Sequence, residues 1–427
     1  WVYVSIHVYG NAPIPLAAFL TLLYTAGIGL THALFCYLYA RWIRDRYQGQ
    51  ELGFAAIFVL CEWFRSWFLT GFPWLYLGYA HVETPLAGWV PVGGVLIATF
   101  IVAYSGAVIA SCLQQASWRP AIGVIAIWVA GPLLNLIDWV QPKNQNPVQV
   151  AMVQANIPQE IKWNRDNYLP TIKLYKAMSE PLWPEADIVI WPEAAIPTYY
   201  QNAKAYLTTM GDIASSHNAT LITGLPYRET DSGRTRFYNS IMAVGEGQGL
   251  YHKQRLVPFG EVVPFENQLR GIIEFFDLPM SNFTAGDKQQ ISLQAGDIKI
   301  APFICYEIVY PQLVSSWFPE SDLLVTISND AWFGKSVGPL QHLEMAQMRA
   351  LEVGRYLVRA TGNGVSAIVN ERGKIERQSE QFKRETLSGE VMLMQGTTPF
   401  ARLGNWPALV ISFGCCLLSL LRNRPSR

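Results

Sequence analysis

Three segments of this 427-residue sequence set an ionisable or nucleophilic side chain directly after an apolar, strand-like run, and strand ends are where α/β domains build their sites. In the first, Ile190-Trp191-Pro192-Glu193, the prolines Pro192 and Pro197 bracket Glu193 in a stiff segment at the end of a buried strand. Such a carboxylate is a candidate general base; read alone, it is a satisfied group that caps the following turn. The second, residues 251–264, gathers His252, Lys253 and Arg255 ahead of Pro258, Gly260 and Glu261. Most basic clusters are solvated faces. Here proline and glycine fix the loop's path, so Lys253 and Glu261 can both turn inward, where an ammonium would stabilise a developing oxyanion. In the third, Ile304-Cys305-Tyr306-Glu307, a thiol follows the apolar strand. A thiolate needs positive charge nearby, and Lys253 is the candidate source.

The sequence has six cysteines, of which Cys36, Cys61, Cys112, Cys415 and Cys416 fall in apolar stretches. Cys305 is therefore a lone thiol in the polar part of the chain, either a buried structural residue or a nucleophile. The elements that must position it lie within residues 146–403. Short β-rich runs at 148–155, 187–191, 220–223, 298–304 and 323–327 alternate with helical periodicity at 168–182, 203–216 and 340–355. That alternation predicts a water-facing α/β domain.

Apolar sequence flanks this domain on both sides. A bilayer core about 30 Å thick needs about 20 apolar helical residues, and residues 14–40 supply them without Asp, Glu, Lys or Arg. Further candidate spans are 52–68, 85–116, 120–137 and 407–421. The first of these carries Glu62 and Arg65 one helical turn apart, which must pair, face a polar interior or lie at the membrane surface. Arg41, Arg44 and Arg46 follow the 14–40 span, Arg119 separates 85–116 from 120–137, and Arg422, Arg424 and Arg427 close the chain. Residues 1–13 and the aromatic loop 71–79 contain neither Lys nor Arg. Because short cytoplasmic loops collect basic residues, the insert is expected on the exported side, which is the periplasm of a two-membrane bacterium.

The expected organisation is a membrane domain over 1–140 with about four transmembrane helices, the exported domain over 146–403, and a C-terminal transmembrane helix over 407–421. The opening residue is Trp1 rather than Met, so further helices are expected upstream in a longer gene product. A charged fraction of only 15% supports the membrane reading, and 32 basic side chains against 32 acidic ones leave no basic field to gather nucleic acid. Closely spaced His and Cys zinc ligands and a Gly-rich phosphate loop are both missing, so no metal or organic cofactor is expected.

Taken jointly, Trp191-Pro192-Glu193, His252-Lys253 with Val257-Pro258-Phe259-Gly260-Glu261, and Ile304-Cys305-Tyr306-Glu307 resemble the motifs of the nitrilase superfamily. Segments 323–334, 341–352 and 359–364 extend the likeness over the whole insert. The spans on both sides narrow it to the apolipoprotein N-acyltransferase family, which carries more N-terminal spans than this sequence. The resemblance implies an α/β fold: a nitrilase-like αββα sandwich inserted between transmembrane α-helices, with a Glu193, Lys253 and Cys305 triad. It also implies an acyl group taken from a glycerophospholipid as a Cys305 thioester and passed to the N-terminal α-amine of a diacylglyceryl-modified apolipoprotein. By motif match, Glu261 would support the triad, Tyr306 and Glu307 would line the site, and Trp163 would sit near the acyl chain.

A thioester of this kind must be kept from water, and the apolar segment 271–283 is a candidate lid, with a loop packed on the sandwich edge as the alternative. Three other functions remain open at this point. A membrane-tethered, nitrilase-like amidohydrolase would use the same triad on a soluble substrate, although one helix would suffice as its tether. A Cys–His enzyme would use His252 or His342. A polytopic receptor or transporter would leave the triad merely structural, and then Cys305→Ala would be harmless.

Overall fold

The structure is a computed structural model that describes residues 1–10, 12–44, 49–231, 233–258, 260–262 and 283–421. The candidate lid, apart from Phe283, and the arginines at 46, 422, 424 and 427 lie outside the described residues.

Two sheets stack face to face. One has six strands in the order Glu385–Val391, Val148–Gln154, Ile188–Ile190, Thr220–Asp231, Arg234–Gly245, Leu250–His252. The other has seven, in the order Ile375–Gln378, Ala367–Val369, Leu357–Thr361, Leu323–Ser328, Ile298–Ile304, Leu293–Ala295, Gly247–Gln248. Strand periodicity explains the layering. Along Ile298–Ile304, Ile300 and Ile304 point into the core between the sheets, while Ala301 and Phe303 pack on the outer face. Val150, Met152, Ile188 and Ile222 meet them from the opposite sheet.

The helices Tyr168–Ser179 and Tyr200–Ser216 cover the six-stranded sheet, burying Ile172, Leu207 and Met210 against Ala151, Val153 and Val189. The helix Gly338–Val353 covers the other sheet. The result is the expected αββα sandwich. The run read at 220–223 proves to be the start of a twelve-residue strand, paired residue for residue with Arg234–Gly245. Its outer third, Arg228 to Asp231, is exposed and polar, so it carries no hydrophobic alternation to betray it.

Among the described residues, two helices are long and apolar enough to cross a membrane, Ile14–Trp42 with 29 residues and Pro85–Gln115 with 31. At 1.5 Å per residue the first is about 44 Å long. Only 6% of its apolar window is buried, and Phe19, Leu22, Leu23 and Leu30 stand exposed along it, a surface suited to lipid rather than water. The second has 67% of its apolar window buried and packs against both Gln50–Arg65 and Trp406–Leu421. Trp406–Leu421, Ala121–Leu134 and Gln50–Arg65 are shorter, at 16, 14 and 16 residues.

Glu62 and Arg65 face the interior with separate partners. Glu62 accepts from the Leu77 N–H at 2.6 Å and the Thr99 hydroxyl at 2.7 Å, and Arg65 donates to the Trp74 carbonyl at 2.7 Å. Each charge is thereby hydrogen-bonded inside the bundle, as burial in an apolar medium requires.

The sandwich and the helices are joined through polar anchors. Gly94 breaks the Pro85–Gln115 segment with φ +72°, and the Val95 N–H beside the break donates to Glu352 at 2.8 Å. Glu352 is paired with Arg349 at 3.0 Å, and that guanidinium lies 5.4 Å over the ring of Tyr79. A side chain at Gly94 would collide with Phe400, so glycine serves both the break and the close approach. The short strand Val140–Pro142 pairs with Met394–Gly396 and brings the two chain crossings into the sandwich together.

Candidate active site

Glu193 follows the strand Ile188–Ile190, and a backbone hydrogen bond from Trp191 N–H to the Ile222 carbonyl extends the pairing to its doorstep. Its Oε1 accepts from Asn239 Nδ2 at 2.7 Å, and its Oε2 from the Asn329 N–H at 2.7 Å. The turn after it puts Ala194 at φ +49°. Gly224 on the next strand lies so close that a Cβ there would come within 2.8 Å of the Glu193 Cα.

Lys253 follows the strand Leu250–His252 and is 1% exposed. Its Nζ lies 2.8 Å from Glu261 Oε2 and 3.7 Å from Glu193 Oε1. Burial works against the charge, but the Glu261 and Glu193 carboxylates outweigh it and hold the lysine above its ordinary range. Asn239 also donates to Glu261, at 2.8 Å, so one amide ties both carboxylates. Asn239 is the site residue that sequence reading missed: it lies inside the hairpin strand Arg234–Gly245 with no local turn or motif to mark it.

Cys305 sits at the end of Ile298–Ile304, at φ +52°, where the chain turns into the 3-10 segment Cys305–Val309. A non-glycine residue in the left-handed region is strained, and such strain gathers at functional sites. The side chain keeps part of its surface open. Burial, then the Glu193 carboxylate, push the thiol well above its ordinary value against the pull of Lys253. At rest Cys305 is therefore a thiol, and the charge of Lys253 alone does not make it a thiolate.

The remaining candidates surround these three. The carboxylate of Glu307 accepts from Tyr251 Oη at 2.7 Å and from the N–H groups of Gln254, Arg255 and Ile304 at 2.6, 3.1 and 2.9 Å. It staples the Lys253 loop to the Cys305 turn. Tyr306 Oη donates to the Gly71 carbonyl at 3.0 Å, and its ring stacks on Phe72, tying the same turn to the loop between the apolar helices. Trp163 is half-buried just after the short helix Gln159–Lys162, with a buried Nε1 that has no partner. Beside it Lys162, 4% exposed, donates to the Glu193 carbonyl at 3.1 Å, and burial drives its pKa down to about 8.

Neither histidine is placed as a base for the thiol. His252 Nδ1 meets Ser240 Oγ at 2.8 Å, and its ring stacks on Tyr238. His342 Nε2 meets the Cys305 carbonyl at 3.1 Å, and its Nδ1 meets Asp330 at 3.2 Å. Cys305, Asp330 and His342 bring donor atoms within 4.8 Å of one another, a grouping that sequence spacing hid. The set is poorly suited to a cation: both ring nitrogens are engaged, and the Arg359 guanidinium already sits 2.6 Å from Asp330.

A Glu, Lys and Cys convergence at strand ends of an αββα sandwich, joined to long apolar helices, defines a membrane-associated member of the carbon-nitrogen hydrolase superfamily. Residues 149–398 match the carbon-nitrogen hydrolase family model, and residues 1–108 match that of the apolipoprotein N-acyltransferase N-terminal domain. Along its whole length the chain is 46% identical to the apolipoprotein N-acyltransferase of Pseudomonas aeruginosa, covering 84% of that protein. It is 39% identical to the one from Vibrio vulnificus over 96% of this chain and 82% of the other. A looser likeness, with a TM-score of 0.44 and 16% identity, is to a CN-hydrolase superfamily protein of Xanthomonas campestris, over 58% of this chain and 91% of that one. The chain belongs to the apolipoprotein N-acyltransferase family.

Proposed function

We propose that this chain takes a fatty-acyl group from a glycerophospholipid as a thioester on Cys305 and delivers it to the N-terminal α-amine of a diacylglyceryl-cysteine apolipoprotein. The observation that carries this reading is the Lys253 cation, fixed 2.8 Å from Glu261 and 3.7 Å from Glu193, at the strand ends shared with Cys305. Because the resting group is a thiol, its proton must leave as it attacks, and Glu193 is the base. The sulfur adds to the ester carbonyl, and the negative oxygen is stabilised by Lys253 and the Tyr306 N–H. Collapse breaks the C–O bond, and the Glu193 proton goes to the departing lysophospholipid. The lipoprotein amine then adds to the thioester, Glu193 removes an amine proton, and the thiol leaves with a proton restored.

In this reading Glu261 holds the lysine in place, Glu307 and Tyr306 fix the nucleophile's turn, and Trp163 borders the acyl chain. Residues 1–140 and 407–421 embed the enzyme in the bacterial inner membrane as a multi-pass protein, and residues 146–403 face the periplasm. The basic segments beside the apolar helices support that orientation, and the exposed apolar length of Ile14–Trp42 supports a donor that arrives through lipid.

The test supplies a phospholipid with a labelled acyl chain and a diacylglyceryl-cysteine peptide to detergent-purified protein. Label on the peptide amine is the expected result. Label released as free fatty acid, with the peptide unmodified, would replace this reading with a hydrolase; no movement of label on folded protein would end it.

A further inference from the structure

The strain at Cys305 has a visible restraint. A left-handed residue costs about 1–2 kcal/mol and persists only where its surroundings over-determine it. Its carbonyl oxygen lies 3.1 Å from His342 Nε2, and since a carbonyl oxygen only accepts, Nε2 must carry the hydrogen. The ring has nowhere else to go. Its Nδ1 is 3.2 Å from Asp330 Oδ1 and 3.1 Å from Arg359 Nη2, and Arg359 in turn donates to Asp330 Oδ2 at 2.6 Å. His342 and Arg359 are 0% exposed and Asp330 is 1%. Burial, with the Arg359 guanidinium beside it, lowers the histidine's pKa, which leaves a neutral ring with its Nδ1 lone pair toward Arg359.

A trans peptide unit sets its C=O and the following N–H antiparallel in one plane. Holding the Cys305 carbonyl toward His342 therefore aims the Tyr306 N–H to the opposite side. Tyr306 is the second residue of the 3-10 segment Cys305–Val309, where N–H groups have no acceptor within the helix.

We propose that His342, held at Nδ1 by Arg359, which Asp330 anchors, is a positioning residue that locks the Cys305–Tyr306 peptide plane and so aims the Tyr306 N–H at the acyl oxyanion. This rests on the acyl-transfer reading of Cys305. The same strand end serves both partners of the reaction, because Asn329, beside Asp330, donates its N–H to the base Glu193 at 2.7 Å.

The test compares two amides of different reach. In His342→Gln the amide nitrogen extends to the position of Nε2 and still donates to the Cys305 carbonyl. In His342→Asn it stops beside Asp330 and Arg359. Thioester formation in a single turnover is followed by intact mass, beside iodoacetamide alkylation of Cys305, which needs no oxyanion donor. His342→Asn is expected to acylate about 10²–10³-fold more slowly than wild type, with His342→Gln within about tenfold and alkylation of both within about threefold. Equal acylation by the two variants, or alkylation falling in step with acylation, overturns the proposal.

A second measurement reads the wild-type protein and needs His342→Gln only to assign the signal. The ¹⁵N spectrum of the His342 ring, assigned by its loss in His342→Gln, should show a protonated Nε2. A bare Nε2 overturns the proposal. If wild-type protein forms no thioester at all, it is the acyl-transfer reading that fails, while the ring spectrum still reports whether His342 donates to the Cys305 carbonyl.

Discussion

Lys253 meets Glu261 in a 2.8 Å ion pair, with the lysine side chain 1% exposed and the carboxylate 11%. The closer carboxylate takes most of the ammonium's attraction, which leaves Glu193 at 3.7 Å with only a loose hold on the cation. In the proposed mechanism these unequal distances divide the two carboxylates between two roles, Glu261 holding the lysine and Glu193 taking the proton.

Glu261→Gln removes that division. Lys253 should turn to Glu193, and thioester formation should slow by about 10–100-fold, within the usual range for loss of general-base function. Lys253→Met should be worse in both respects. It removes an oxyanion partner and strands a buried carboxylate, at a cost of about 3–5 kcal/mol in stability. Single-turnover acylation and chemical denaturation in detergent read the two effects separately.

Asn239→Ala leaves Glu193 and Glu261 each short of one donor, at 2.7 and 2.8 Å in the intact site. Acylation is expected to fall and stability to drop by about 1–3 kcal/mol, the cost of an unsatisfied buried acceptor. Asn239→Asp should be more damaging than alanine, since it would set a third negative charge between two others. A variant with alanine-like stability and wild-type acylation would show that the bridge is idle.

Gly224→Ala tests the close approach beneath the base. The added methyl would come within 2.6 Å of Ile327 Cδ1 and 2.8 Å of the Glu193 Cα, so the strand or the base must shift. A loss of about 1–3 kcal/mol from overpacking is expected, together with slower acylation. Wild-type behaviour in both would mean the site relaxes freely.

Lys162 gives a pH signature. Its pKa falls to about 8 in the fold, mainly through burial, against about 10.4 in an unfolded chain. Below pH 8 both states are charged and the fold bears the cost of a buried ammonium. Between the two values the unfolded chain holds more protons, so stability should rise with pH by on the order of 1–3 kcal/mol. Lys162→Met should abolish that rise and be the more stable protein at pH 7. Melting curves of both from pH 7 to about 10.4 check it, and parallel curves would contradict it.

The three residues of the proposed triad stood out in the sequence because each follows an apolar strand and two are flanked by residues that stiffen the turn: Pro192 beside Glu193, Pro258 and Gly260 after Lys253. The buried strands were legible for the same reason that they are buried, as unbroken apolar runs. What stayed hidden depends on contacts far apart in the chain. Asn239 acquires its meaning only when a twelve-residue hairpin sets it between Glu193 and Glu261. Arg349, Glu352 and Arg359 carry no local sign of their surroundings, yet each is 0% exposed, because Asp330, Val95 and Tyr79 reach them from other elements. Glu62 and Arg65 invited a local ion pair by their spacing, while the fold gives each a partner from a different segment.

The most direct test of the central claim is intact-protein mass spectrometry of the purified protein after incubation with a defined phospholipid, beside Cys305→Ala. The account predicts an added mass of one acyl chain, labile to hydroxylamine, mapped to Cys305, absent from the variant and lost when a diacylglyceryl-cysteine peptide is added. No adduct on folded wild-type protein, or an adduct that persists in Cys305→Ala, would contradict it.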